Sequence, residues 1–549
     1  MTLAPACFAF KWDGAAAAVV LFAIPLAVLI TTLTLWLYRK AVERSMRASA
    51  GERVPADSPL APQASAVPPL QISVSGEGGP PATARMQESR AAMRELSRAY
   101  ALAGFAQSLV VTVLWFVLND VEFRPARSLI VWLPYAWPIV LGLMLTATTT
   151  RRQRYAMIGG YFAILLIADA GAEVAGLRYK PGFGELFLLW ASVMAPPTLV
   201  IALLSNRAWR SVGLFALFLG VALSLSYQLG FQALACLALS TRSSVLFGSF
   251  DYLLWSLVLA CFASAAWILA RVARRYEARR TSDQMLVLDS WWLLVTLFAV
   301  LFQLGTSGLT AFTIIFAFVA YKAVLHIALP RLASSSAAGT PQSLLLLRVF
   351  GYTRRTRTLI DQVGQFWRHN GPINMIGGAD LAASLIEPDE LAQFWTGGLR
   401  RRFIANAADL QSRLQAIDSR RDPDGRYRIN EFFCHDDTWQ AVVRGLAQRS
   451  EAVLMDLRSF GRKNRGCEFE LGLLLHEVPL ARIVLLIDSS THREDLEPLL
   501  QSVWSRLPDT SPNHGLRFPA LQLMQAADES ATFERVMSRL FACAERGDA

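Results

Sequence analysis

Apolar runs of about 20 residues, separated by short arginine-rich loops, fill roughly the first 340 residues of this chain and then stop. A helix needs a run of about that length to cross some 30 Å of hydrocarbon. In lipid only helices and closed barrels satisfy their own backbone groups, so the pattern leaves few folds open. Nine runs qualify, near 15–37, 99–118, 128–148, 155–176, 184–205, 212–238, 244–270, 286–306 and 309–330. From 341 onward short apolar stretches alternate with amphipathic ones, as in a water-soluble domain. The expectation is a polytopic α-helical membrane domain over 1–340 with about nine spans, followed by a soluble module over 341–549.

The loops also orient the chain. Arg39, Lys40, Arg44 and Arg47 follow the first run, Arg151, Arg152 and Arg154 the third, and Arg207 and Arg210 the fifth. Arg271, Arg274, Arg275, Arg279 and Arg280 follow the seventh, and Arg331 the ninth. Every second loop is thus the basic one, which predicts an N-terminus outside the cell and a cytoplasmic C-terminal module. The net charge of +10 sits almost wholly in the membrane half, where it holds spans in place rather than forming a nucleic-acid surface. The basic cluster lies after the first run, so that run reads as an uncleaved anchor in the cell membrane, not a signal peptide. Residues 48–83 are rich in Ala, Pro, Ser and Gly and read as a flexible cytosolic linker. A charged helix then enters the second span.

Ionisable groups in lipid are costly and so are functional candidates. Asp169, Glu173 and Asp251 form an outer acidic set able to bind a cation or an amine, unless they are simply solvated near the interface. Asp289 and Lys322 are placed to pair structurally, with His326 one turn on from Lys322. Pro196-Pro197 predicts a kink or break in the fifth span. No inverted repeat is evident, which argues against a transporter and for a membrane sensor or scaffold. The six cysteines form no CxxC pair and imply neither a disulfide framework nor a zinc site.

In the module, 343–351, 373–378, 452–458 and 481–488 read as buried strands, and the stretch before Cys434 as another. The stretch 355–370 is an amphipathic helix with Leu359, Ile360, Val363 and Phe366 on one face, and Asp422-Pro423-Asp424-Gly425 makes a turn. Alternating strands and helices imply a parallel sheet covered on both faces, with ligands beyond the carboxyl ends of the strands.

The stretch 452–471, AVLMDLRSFGRKNRGCEFEL, with Arg465, Cys467, Glu470 and Leu471, resembles the strand, loop and helix of a TIR (Toll/interleukin-1 receptor-like) domain. The resemblance covers 341–549 apart from a helical insertion around 390–425; the membrane half resembles no recognised family. It implies a flavodoxin-like fold, self-association and, in enzymatic members, cleavage of the nicotinamide–ribose bond of NAD. Glu470 would inherit the catalytic glutamate's role, and NAD would be a substrate rather than a resident cofactor. Gly466 stands where the family commonly has Trp, and Asp456, Arg458 and Ser459 replace its serine-rich strand exit. The ordinary alternative for Glu470 is a surface acid near a helix N-terminus.

Arg354 and Arg355, beside Gly351 after the first strand, are placed to pair with a pyrophosphate or with anionic lipid. Asp456 and Arg458 complete the expected nucleotide set. His435, Asp436 and Asp437 read as a helix N-cap by Asp437 in preference to a metal site. The Gly377-Gly378 turn lacks the spacing of a Walker loop. Three readings follow: a membrane signalling or stress-response effector that acts by self-association with or without NAD cleavage, a non-enzymatic interaction module, or a transporter or channel regulated by the module.

Overall fold

Runs of consecutive apolar residues become the centre of a parallel sheet, because strands covered on both faces have no side left to give to water. The computed structural model describes residues 15–48, 67–75, 83–146, 151–174, 183–204, 209–210, 212–223, 226, 246–335, 340–349, 354–378, 386–461, 463–526 and 529–547. Its strands are β1 (Gln71–Ser75), β2 (Leu344–Arg348), β3 (Ile373–Gly377), β4 (Phe403–Ile404), β5 (Ile429–Cys434), β6 (Ala452–Asp456), β7 (Ile483–Ile487) and β8 (Ala520–Gln525). They form one sheet in the order β1-β8-β7-β6-β2-β3-β5-β4, and every pairing is parallel. The strands expected at 343–351, 452–458 and 481–488 are β2, β6 and β7, and all five residues of each are buried.

Alternate residues serve the two faces. Leu345, Leu347, Val453, Met455, Leu485 and Ile487 join the core with Leu471 and Leu474 of helix Arg465–Glu477 and Leu496 of helix Arg493–Trp504. Leu344, Leu346, Leu454 and Leu486 are buried on the other face. Helix Glu529–Gly547 contacts β6 and β7 there and meets helix Arg354–Trp367 through the Phe366–Phe533 and Trp367–Phe541 ring pairs. Leu359, Ile360, Val363 and Phe366 of that helix are all buried, as their spacing predicts.

After β1, at one edge, the chain enters the sheet again near its middle as β2. From β2 it moves outward through β3 to β5 and β4, then returns to the opposite side of β2 as β6 and continues outward. The order therefore reverses between β2 and β6, which run in register from Leu344↔Ala452 to Arg348↔Asp456. Gly371 lets the chain turn into β3, since a Cβ there would stand 1.7 Å from the Gln342 carbonyl oxygen. The turn at Asp422–Gly425 forms as expected, with Gly425 at φ +79° and its N–H donating to the Asp422 carbonyl.

One expectation is corrected. Residues 67–75 are not linker, because β1 pairs with β8 along the sheet edge and Leu70 is buried in the core. Trp504 Nε1 donates to the Pro68 carbonyl at 2.8 Å and Gln501 Nε2 to that of Leu70 at 2.7 Å. The period-two row Leu70, Ile72, Val74 buries enough apolar surface to order a segment whose composition reads as disordered. The remaining linker positions, 49–66 and 76–82, lie outside the described residues.

The chain divides into two compact units, Met1–Leu37 with Glu95–Arg331 and Ala383–Thr396, and Tyr38–Arg94 with Leu332–Ala382 and Gly397–Ala549. The second holds the sheet, so the module draws on residues well before 341. The first holds most of the apolar helices. Among the described residues six helices are long and apolar enough to cross a membrane: Phe22–Arg47, Ala84–Leu118, Pro125–Thr146, Trp255–Glu277, Asp283–Leu304 and Gly308–Arg331. The three other expected spans coincide with helices Arg151–Val174, Phe183–Leu204 and Val212–Leu223, which fall short of that criterion over the described residues. Helix Phe183–Leu204 runs through Pro196 and Pro197.

Small and polar residues knit the helices of this unit, as lipid-embedded packing requires. Gln107 Nε2 donates to Thr296 Oγ1 at 2.7 Å, Trp291 and Trp292 are fully buried, and Gly104 leaves room for the Trp292 ring. Lys322 Nζ and Asp289 Oδ2 pair at 2.6 Å, the structural pairing anticipated for them. Asp169, Glu173 and Asp251 lie on helices, but their side chains fall outside the described residues.

Candidate functional site

In an open parallel sheet the crevice lies beyond the carboxyl ends of the two strands where the order reverses. Here those ends are Arg348 of β2 and Asp456 of β6, which are register partners. Each apolar strand finishes on a charged residue at the same edge, and both are buried, at 7 % and 3 % exposed.

Helix Arg465–Glu477 follows β6 after a short loop and carries Glu470 on its buried face between Cys467 and Leu474. Glu470 is 3 % exposed, and its Oε2 has no hydrogen-bond partner among the described residues. An orphaned buried oxygen is unusual and costly, and such groups cluster where a ligand or catalytic demand retains them. Burial pushes the Glu470 carboxyl up to about 8, with the Arg348 guanidinium pulling in the opposite direction. Glu470 is therefore not the surface acid of the ordinary alternative. At neutral pH it is predominantly the neutral acid, poised to ionise when positive charge approaches.

The loop after β6 is braced. Asp456 accepts from Arg458 Nε at 2.8 Å and Nη2 at 2.7 Å, so the two expected nucleotide contacts are closed on each other. Ser459 adopts φ +68°, a left-handed conformation that costs a residue with a Cβ and recurs at functional sites. Its N–H donates to Ser490 Oγ at 3.0 Å, while Thr491 Oγ1 donates to the Leu457 carbonyl at 3.1 Å. The exits of β6 and β7 are thus hydrogen-bonded to each other.

Of the sequence-derived candidates, Asp456 ends β6 where strand order reverses, Arg458 is tied to it, and Glu470 lies on the following helix under the influence of the Arg348 charge. Gly351 lies outside the described residues, as do the side chains of Arg354 and Arg355, which begin helix Arg354–Trp367. Arg348 was not among the candidates. Its signal is a lone arginine ending the run Leu344–Leu347, where an isolated charge on a buried strand needs a partner.

The acids near β5 do something else. His435 Nδ1 lies 2.7 Å from the Ser45 carbonyl oxygen, and Asp436 N–H donates to that of Met46. The N-cap of helix Trp439–Ala447 is Thr438 rather than Asp437, and Thr438 Oγ1 accepts from the His435 N–H at 3.0 Å. At the amino end of the sheet, buried pairs Asp424–Arg426 and Asp422–Arg428 fix the 422–428 turn beside His369. Burial and neighbouring arginines lower the His369 pKa to about 3, which keeps the ring neutral.

No family model, no curated protein and no solved structure matches this chain.

Proposed function

We propose that this chain is an integral membrane signalling or stress-response effector whose cytosolic, TIR-like module, flavodoxin-like in fold, self-associates and cleaves NAD. The observation that carries the reading is the buried Glu470 carboxyl, whose Oε2 has no hydrogen-bond partner among the described residues, under the charge of Arg348 at the edge where strand order reverses. In the proposed reaction the bond between ribose C1′ and the nicotinamide nitrogen breaks, and its electron pair leaves with neutral nicotinamide. Water adds to C1′ and gives up a proton. Positive charge moves onto the ribose on the way, so a carboxylate there stabilises the transition state. The cationic nicotinamide ring, entering beside Glu470, lowers the carboxyl's pKa and generates that carboxylate. Arg348 supplies the charge for the pyrophosphate.

One observation favours the non-enzymatic interaction module. Asp456 and Arg458 satisfy each other and offer little to a nucleotide. Activity separates the two readings. Full-length protein in nanodiscs, clustered through an appended tag, is expected to release nicotinamide from NAD. Glu470→Gln keeps the shape and removes the charge, and should lower the rate by about a hundredfold or more while leaving self-association intact. Wild-type protein that self-associates but releases no nicotinamide establishes the interaction module instead.

A further inference from the structure

The membrane unit contains an apolar cavity of about 470 Å³, within the range of cavities that hold small ligands. Its longest wall is one stripe of helix Leu246–Glu277, through Leu257, Cys261, Ser264, Ile268 and Val272, at the spacing of a single helix face. Leu257 and Val272 stand about 22 Å apart along the axis at 1.5 Å per residue, whereas a sphere of 470 Å³ would be only about 10 Å across. The space is a long slot. Phe218 of helix Val212–Leu223 and Leu293 of helix Asp283–Ser307 form its other sides.

Among the described residues no charged side chain lines the slot. Its few polar groups are small, and two of them, Ser226 Oγ and Cys261 Sγ, lie 3.1 Å from each other. Such a lining rejects a charged or strongly hydrogen-bonding body, because nothing there would replace its water. It accepts hydrocarbon.

The end nearest Val272 and Leu286 is closed by Pro388 and Leu391, from helix Pro388–Trp395. This helix has a capping box between Glu387 and Glu390, with Pro388 in its first turn. Tyr276 Oη donates to Glu387 Oε1 at 2.7 Å, and Trp395 packs edge-on against Phe215 at 5.0 Å. A polar tether and an aromatic contact thus pin an apolar lid at the slot's end.

We propose that this slot is a binding site for a single hydrocarbon chain, capped by helix Pro388–Trp395, with the ligand's polar head outside the lining described. The inference does not depend on the NAD reading. Membrane phospholipid and free fatty acid both supply such a chain. The test uses full-length protein in nanodiscs with two photoactivatable probes, a diazirine-bearing palmitic acid and a phosphatidylcholine carrying the same chain. After irradiation, labelled residues are mapped on 246–277.

Labelling by either probe is expected at Cys261 and Leu269, about tenfold above the outward-facing Leu259, Phe262 and Trp267. The probe that labels identifies the source. Ala265→Phe and, independently, the milder Ala222→Leu fill the slot and should each lower the inner labelling by about tenfold, with the outer labelling unchanged. Elution as a single species shows that each variant is folded. Labels spread evenly around the helix, or inner labels untouched by both substitutions, would overturn the proposal.

Discussion

Glu470 is an acid held where water cannot solvate its charge. Its folded-state pKa of about 8 stands above the ordinary 4.5, so between those values the unfolded chain ionises while the native chain keeps the proton. Its effect on stability is absent below pH 4.5, grows as a penalty up to about pH 8, and is constant above. Glu470→Gln should therefore gain thermal stability over wild type at pH 9 and little at pH 4.5, by up to a few kcal/mol. Melting curves of the full chain at the two pH values check this, and an equal gain at both contradicts it. Arg348→Gln removes the charge that favours the carboxylate, so it should move the Glu470 pKa further up. Glu470 was legible because it sits in a local motif of strand, loop and helix. Arg348 was not, because its partner is more than a hundred residues away and only the strand pairing brings the two to one edge.

At the scale of elements, β2, β6 and β7 were readable from their consecutive apolar residues, and helix Arg354–Trp367 from its stripe. The strands β1, β4 and β8 and helix Arg493–Trp504 were missed, and helix Pro388–Trp395 was legible as a helix but not as part of the membrane unit; β1 and this helix show opposite reasons. β1 is a short period-two row embedded in proline, serine and glycine, so composition over a long window outweighed pattern over a short one. Helix Pro388–Trp395 carries a clear capping signal, but nothing local says that it belongs with the apolar helices. The β1 result yields a direct test. Leu70 is 3 % exposed in the core, so Leu70→Ala should cost the sheet about 2–5 kcal/mol. Lower unfolding temperature and faster proteolysis around 67–75 are expected. A surface-like change near zero would mean that β1 contributes nothing to stability. For the same reason a fragment beginning at 341 lacks an edge strand and part of the core, so activity measurements belong on the whole chain.

For the molecule as a whole, we propose from the alternation of arginine-rich loops an N-terminus outside and a module in the cytoplasm. A reporter inserted after Arg331 should read as cytoplasmic, and an extracytoplasmic reading contradicts that orientation. The proposed function puts NAD chemistry at the edge where strand order reverses, and the pH dependence of NAD cleavage by the clustered full-length chain in nanodiscs tests it. If the Glu470 carboxylate is the working form, kcat/KM rises with pH and levels off above about 8. Arg348→Gln should shift that limb upward, and Glu470→Gln should lower turnover by about a hundredfold or more at pH values above about 8, with the limb lost. A rate that falls across the same range, or Glu470→Gln turning over like wild type, would rule out a working Glu470 carboxylate.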